Sequence, residues 1–256
     1  MKSVYRLWTV LPVVLLSAGA GAPAAQTPAT SAAVNPAVVK ALNDMAAYLR
    51  NLKAFQVESA VTTDEVQDDG QLIQYRATVS ALVQMPNKLL LDASGDRNDR
   101  RFVYDGKTFT MLGRRIGYYA TVAAPPTLRE LDDVLSDNYG IELPLADLFR
   151  FGSPNWKGAE IKGAMDVGPS EIGGTTCEHY AFRQDDVDWQ VWIHKGDHPL
   201  PRKLVITTTS DAARPQHTST LTWNLAPSYN DEAFTFVPPS GAHKIVLTPA
   251  EPQGAN

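Results

Sequence analysis

The 256-residue chain has one cysteine, Cys177, so no internal disulfide can form and stability has to come from burial. Positive charge is also scarce. Against 28 Asp and Glu stand only 23 Lys and Arg, a formal net charge of −5, which argues against nucleic acid as a partner because phosphate affinity comes from clustered Lys and Arg. Long apolar runs are missing as well, since the stretch Leu7 to Leu16 falls well short of the roughly 20 residues a membrane-spanning helix needs. The chain contains no Ser-x-x-Lys, no Gly-x-Ser-x-Gly and no His-Glu-x-x-His, so the commonest hydrolase and zinc-protease signatures are lacking. Ser136-Asp137-Asn138 matches one element of the serine penicillin-recognising enzymes, but without its nucleophile it reads as a helix end.

What is present at the start is a basic head at Lys2 and Arg6, then the short apolar run, then small residues with several Ala-x-Ala choices. This predicts a cleaved secretory signal peptide over 1–25 and a soluble, exported mature protein. Without Lys2 and Arg6 the 23 basic residues become 21, which gives a mature charge of −7. No cysteine stands near the cleavage region, so acylated-cysteine anchoring is not expected. Residues 26–34 read as a flexible lead, 35–245 as a single domain, and 246–256 as a loose tail.

The first strong pattern is helical. Asn35-Pro36 reads as N-cap and first helical position, and Val38, Leu42, Met45, Leu49 and Leu52 form one apolar stripe. From Phe55 to Val122 the period changes to two, with turn signals at Asp68-Asp69-Gly70, Pro86-Asn87, Asp105-Gly106 and Gly113-Arg114-Arg115. Consecutive hairpins of this kind make a meander that twists and curls. Thr127-Leu128-Arg129-Glu130 is a capping box, opening a helix that Gly140 stops, and a shorter segment follows over Pro144 to Phe151. Gly152 to Gly174 is glycine-rich and poorly patterned and reads as loop with room for one weak strand. Alternation resumes at Tyr180 and Phe182 and continues through Asp188-Trp189-Gln190-Val191-Trp192-Ile193-His194 to Leu225, with Phe234-Thr235-Phe236 expected to close the sheet.

Several of these stretches together resemble a bacterial family of predicted periplasmic proteins of unknown function. They are Tyr104-Asp105-Gly106-Lys107, Tyr118-Tyr119-Ala120-Thr121-Val122, Tyr139-Gly140-Ile141, Asp188 to Ile193, Pro199-Leu200-Pro201-Arg202-Lys203 and Phe234 to Pro239. The likeness runs from about Asn35 to Ile245. That family is similar, more distantly, to the lipoprotein-localisation carriers (LolA/LolB-like). The resemblance implies a mainly β fold with α: a strongly curved, unclosed antiparallel β-barrel with helices packed in its concave face. It also implies location in the periplasm.

The inward face is expected to carry Tyr75, Val79, Leu89, Leu91, Phe102 and Tyr104 from the first meander, followed by Phe109, Met111 and Tyr118. The second meander adds Trp189, Val191, Leu204, Ile206, Leu221 and Trp223. Leu128, Leu131, Leu135, Leu148 and Phe149 are the expected lid, and Arg100 and Arg101 the charged rim of the mouth. Taken singly these apolar residues read as ordinary core; taken as a set they line a hydrophobic trough. His179, His194, His198 and His217 lack ligand spacing and read as surface residues at strand ends, while Cys177 reads as a buried filler. The expected function is a non-enzymatic carrier or binder of a hydrophobic ligand such as lipid or a lipidated protein, with no cofactor, monomeric, and with transient membrane contact. The alternative is a sensory or protein-binding module of the envelope built on the same sheet.

Overall fold

The computed structural model describes residues 33–150 and 160–249. The expected signal peptide, most of the lead, the end of the tail and the segment 151–159 lie outside the described residues. Val34, the last residue of the lead, is held by a parallel bridge to Ala164.

α1 (Pro36–Asn51) starts as its sequence dictates. The Asn35 side chain accepts from the Ala37 N–H at 3.0 Å, Pro36 fills the first position, and Val38, Leu42, Met45, Ala46 and Leu49 are buried. Six antiparallel strands follow as a meander: β1 (Ala54–Val66), β2 (Leu72–Gln84), β3 (Lys88–Gly95), β4 (Asp99–Tyr104), β5 (Thr108–Gly113) and β6 (Tyr118–Ala123). α2 (Leu128–Tyr139) and α3 (Asp147–Arg150) interrupt the sheet. The Thr127 Oγ1 accepts from the Glu130 N–H at 3.3 Å and donates to the Glu130 carboxylate at 2.9 Å, and Gly140 ends α2 at φ 60°.

The second meander is β7 (Gly163–Ile172), β8 (Thr175–Arg183), β9 (Val187–His194), β10 (Pro201–Thr208) and β11 (Gln216–Asn224). β7 stands where loop with room for one weak strand was expected, and it is a full strand of ten residues. Glycines weakened the alternation there, and the strand tolerates them through a register shift between Asp166 and Gly168, the latter at φ 107°. The two meanders join along β1 and β11, so the sheet, which β12 (His243–Lys244) completes, has twelve strands in the order β12-β6-β5-β4-β3-β2-β1-β11-β10-β9-β8-β7. Among the described residues no pairing links β7 to β6 or β12, so the barrel stays unclosed.

Both longer helices lie on one face. α2 packs on the first meander, with Leu128, Leu131 and Leu135 clustered against Phe102, Tyr104 and Phe109. α1 packs on the second, against Phe182, Trp189, Val191 and Leu204.

The outer face departs from the expected apolar-in, polar-out alternation. Val103, Thr110 and Leu112 point outward and are buried. The chain after β11 covers that part of the sheet, where Phe236 meets Tyr119 (5.1 Å between ring centroids) and Phe234, in a 3-10 turn at Asp231–Phe234, is 1 % exposed. The Phe234 to Phe236 stretch was expected to close the sheet. It serves instead as an outer strap, since Pro238 and Pro239 cannot donate to a ladder, and only His243–Lys244 pairs, in parallel with β6.

Candidate functional site

Strand register fixes which side chains share the helix-covered face, because residues directly opposite one another point the same way. On that face Leu91, Phe102 and Met111 form one row across β3–β5, with Leu89, Tyr104 and Phe109 beside it. Val79 and Leu221 both lie opposite Ser59, Trp223 lies opposite Val57, and Leu204 opposite Val191. Ile206 and Trp189 form the next pair.

Most of these residues are filled core. Leu89, Leu91, Phe102, Tyr104, Phe109, Val79 and Leu221 are fully buried in the cluster with α2, and Met111 and Trp223 pack on it. Trp189, Val191, Leu204 and Ile206 belong to the α1 cluster. Tyr104 also donates to the Pro125 carbonyl at 2.5 Å, and burial raises its phenol to about 12. Two residues stand apart. Tyr118 is 44 % exposed at the edge, with its ring 5.7 Å from His243, and Tyr75 is half-buried at the far end of β2 under the Arg97 guanidinium.

Leu128, Leu131 and Leu135 hold α2 to the sheet, while Leu148 reaches it from α3. The side chain of Phe149 lies outside the described residues. The expected arginine rim is corrected. Arg100 and Arg101 point to opposite faces, and only Arg100, exposed at the strand end, is on the helix side. Arg101 lies on the outer face in a two-bond pair with Asp92 (2.8 and 2.6 Å), joined by Arg114, which also holds Asp99 at 2.9 Å. Partial burial raises the Asp92 pKa, but bonding to Arg101 and the charges of Arg101 and Arg114 outweigh it and leave the carboxyl below its usual range.

Between the helices and the far half of the sheet lies a hollow of about 30 Å³, lined by Leu145, Asp147, Leu148, Val191, Pro201, Leu204, His217, Ser219 and Leu221. That volume holds one or two water molecules. Above it runs the segment between α2 and α3, where Leu145 adopts a left-handed backbone at φ 63°, a strain of about 1–2 kcal/mol for a non-glycine residue. Arg150 clamps this segment to α2 by donating to Asp132 at 2.6 and 3.2 Å and to Glu142 at 3.3 Å.

The hollow has a polar floor. His217 Nδ1 lies 2.9 Å from Thr63 Oγ1, and its Nε2 lies 3.1 Å from Ser219 Oγ. Burial lowers the His217 pKa, which favours the neutral ring. Asp147 keeps accessible surface yet is surrounded by protein, as a group inside a concavity would be. Burial raises its carboxyl, against the opposing pull of Arg150 and His217. Ser59, 2 % exposed on the same face, has an Oγ without a hydrogen-bond partner.

Asp147, His217 and Ser219 were not expected at the site. The Gln216 to Trp223 alternation does carry the signal for two of them, since it places His217 and Ser219 on the face of Leu221 and Trp223. The other histidines lie elsewhere. His179 stacks on Trp192 at 3.9 Å on the outer face, while His194 and His198 flank the β9–β10 turn, with His198 Nδ1 2.8 Å from the Tyr48 hydroxyl. Cys177 is fully buried on the outer side with Trp192 and Val205.

Residues 38–248 match the family described as "Predicted periplasmic protein (DUF2092)", and the chain belongs to that family. Among curated proteins none matches. An uncharacterised conserved protein from Thermus thermophilus is similar at 8 % identity and a TM-score of 0.47, covering 81 % of this chain and 98 % of that one. Lipoprotein LppX of Mycobacterium tuberculosis gives 10 % identity and a TM-score of 0.40, with 77 % and 100 % covered. The LolA superfamily protein NE2245 of Nitrosomonas europaea gives 12 % and 0.32, with 78 % and 97 % covered. Likenesses of this size carry no functional argument.

Proposed function

We propose that this member of the periplasmic family is a non-enzymatic binder and carrier of a hydrophobic ligand, lipid or the acyl chains of a lipidated protein, taken up on the helix-covered face. One observation carries the reading: the hollow, with apolar walls at Val191, Leu204 and Leu221, is roofed by a short, strained segment rather than by a long helix. The hollow as it stands is too small for an alkyl chain, so uptake requires the Leu145–Leu148 roof to lift, with Leu128, Leu131 and Leu135 as the next layer to yield. Each methylene buried there contributes about 0.8 kcal/mol, so a chain of a dozen carbons gains on the order of 10 kcal/mol before the cost of opening. Mass spectrometry of an organic extract from gently purified mature protein tests this. Stoichiometric lipid supports it; protein free of lipid that also takes up none from mixed vesicles overturns it.

The alternative, a protein-binding module of the envelope, is favoured by the outer face. There a groove of about 420 Å³ runs between the strap and β3–β5, with Leu90, Val103, Leu112, Phe236 and Val237 among its walls. A partner captured without lipid, and lost when Val237 is made charged, distinguishes this reading.

A further inference from the structure

The hollow is neither uniformly apolar nor electrically neutral, and this narrows what it takes. Arg150 acts on Asp147 at the roof, and it is already engaged by both Asp132 and Glu142. The neutral form favoured for His217 adds no positive charge. Asp147 accepts no hydrogen bond from the described residues, and burial holds its carboxyl toward the neutral form despite the pull of Arg150 and His217. A carboxyl so placed beside low-dielectric walls ionises against a cation that brings its own charge and can donate to it. The hydroxyls of Ser219, Thr63 and Ser59 lie on the same face as further acceptors, and that of Ser59 is buried and unpartnered. Apolar walls of Leu145, Leu148, Leu204 and Leu221 continue directly from this floor.

Resting on the carrier reading, we propose that the hollow selects amphiphiles with a protonated amine at the polar end. Asp147 is the counter-ion, the Ser219 hydroxyl accepts from the ammonium, and the alkyl chain lies along Leu204 and Leu221. An anionic head group brings no counter-charge to Asp147 and opposes its ionisation. A neutral alcohol of equal length keeps the chain contacts and loses the ion pair.

The test is calorimetric titration of the mature chain with dodecylammonium, dodecanol and dodecanoate, each below its micellar concentration, at neutral pH. Expected is an affinity for dodecylammonium on the order of tenfold above dodecanol, with dodecanoate weakest. In Asp147→Asn the amine should fall to the level of the alcohol while the alcohol is unchanged, and Ser219→Ala should give a smaller loss confined to the amine. Should the asparagine variant not fold, the ranking of the three ligands on the wild-type chain decides alone. Equal binding of all three, or a preference for dodecanoate, overturns the amine site and leaves the carrier reading standing. No binding of any overturns both.

Discussion

Thr63 Oγ1 and His217 Nδ1 lie 2.9 Å apart across the pairing of β1 with β11, although 154 residues separate them in the chain. The imidazole is thereby held between two hydroxyls in a place where its protonated form is disfavoured. His179, stacked on Trp192 on the other face, is likewise lowered by burial, which outweighs its bond to Gln190.

From these two groups a pH dependence follows. Both folded pKa values lie below the ordinary histidine value of about 6.5, so the unfolded chain binds protons that the folded chain refuses. Their contribution to stability is complete above that value and lost as pH falls through it. The thermal midpoint should drop between pH 7 and 5, and less steeply in His217→Gln or His179→Gln. Unchanged slopes in both variants would falsify the assignment.

Thr127→Ala removes the acceptor for the Glu130 N–H and should cost about 1 kcal/mol, a fall of roughly 2–4 °C in Tm for a domain of this size. Thr127→Ser should recover most of it. Differential scanning calorimetry reads both.

Leu91→Ala creates a cavity in a fully buried row and should destabilise by about 2–5 kcal/mol, whereas Tyr118→Ala at the exposed edge should stay within about 0.5 kcal/mol of wild type. Urea titrations measure the difference. Equal costs would mean that the burial assignment is wrong.

Asp132 is 3 % exposed at its side chain, whereas Arg150 remains 38 % exposed. Their shifts pull differently: burial raises the Asp132 carboxyl in spite of Arg150, while burial lowers Arg150 but the bonds to and charges of Asp132 and Glu142 together outweigh it and leave Arg150 raised. The arginine, with access to water, keeps its charge, so the pair works as a clamp on α3 more than as a store of stability. Asp132→Asn weakens it. A pre-loaded fluorescent alkyl probe should leave this variant at least severalfold faster, with a smaller change in Tm than Leu91→Ala produces.

Arg101→Glu breaks the outer-face pair with Asp92 and should lower Tm, while Arg100→Glu, exposed at the strand end, should leave it unchanged. Acid should act on the same network. The depressed Asp92 pKa supplies stability above the ordinary carboxylate range that disappears as pH falls through the folded value, so Arg101→Glu should narrow the gap between neutral and acid midpoints.

Where side-chain pattern alone decides, the sequence was readable. The α1 stripe, the capping box at Thr127, the stop at Gly140 and the alternation of β1–β6 each follow from local chemistry. β7 is legible only as a weak strand because its glycines dilute the alternation, while the pairing that fixes it comes from β8, supplied later in the chain. Arg100 and Arg101 were grouped as neighbours although adjacent residues of a strand point apart, so proximity misled where period two would have separated them. The outer strap was missed because burial of Val103 and Leu112 depends on a segment more than a hundred residues downstream. Asp147 offers no periodic signal, and only the fold brings it to His217.

The seam between β1 and β11 has a consequence for synthesis and folding. The first meander can zip up hairpin by hairpin as the chain emerges, yet the free side of β1, 13 residues long, has no neighbour until Gln216 to Asn224 has appeared. During that interval a bare ribbon edge is open to any other nascent copy. A circular permutant that makes β11 and β1 adjacent in the chain would shorten the wait and should aggregate less on refolding.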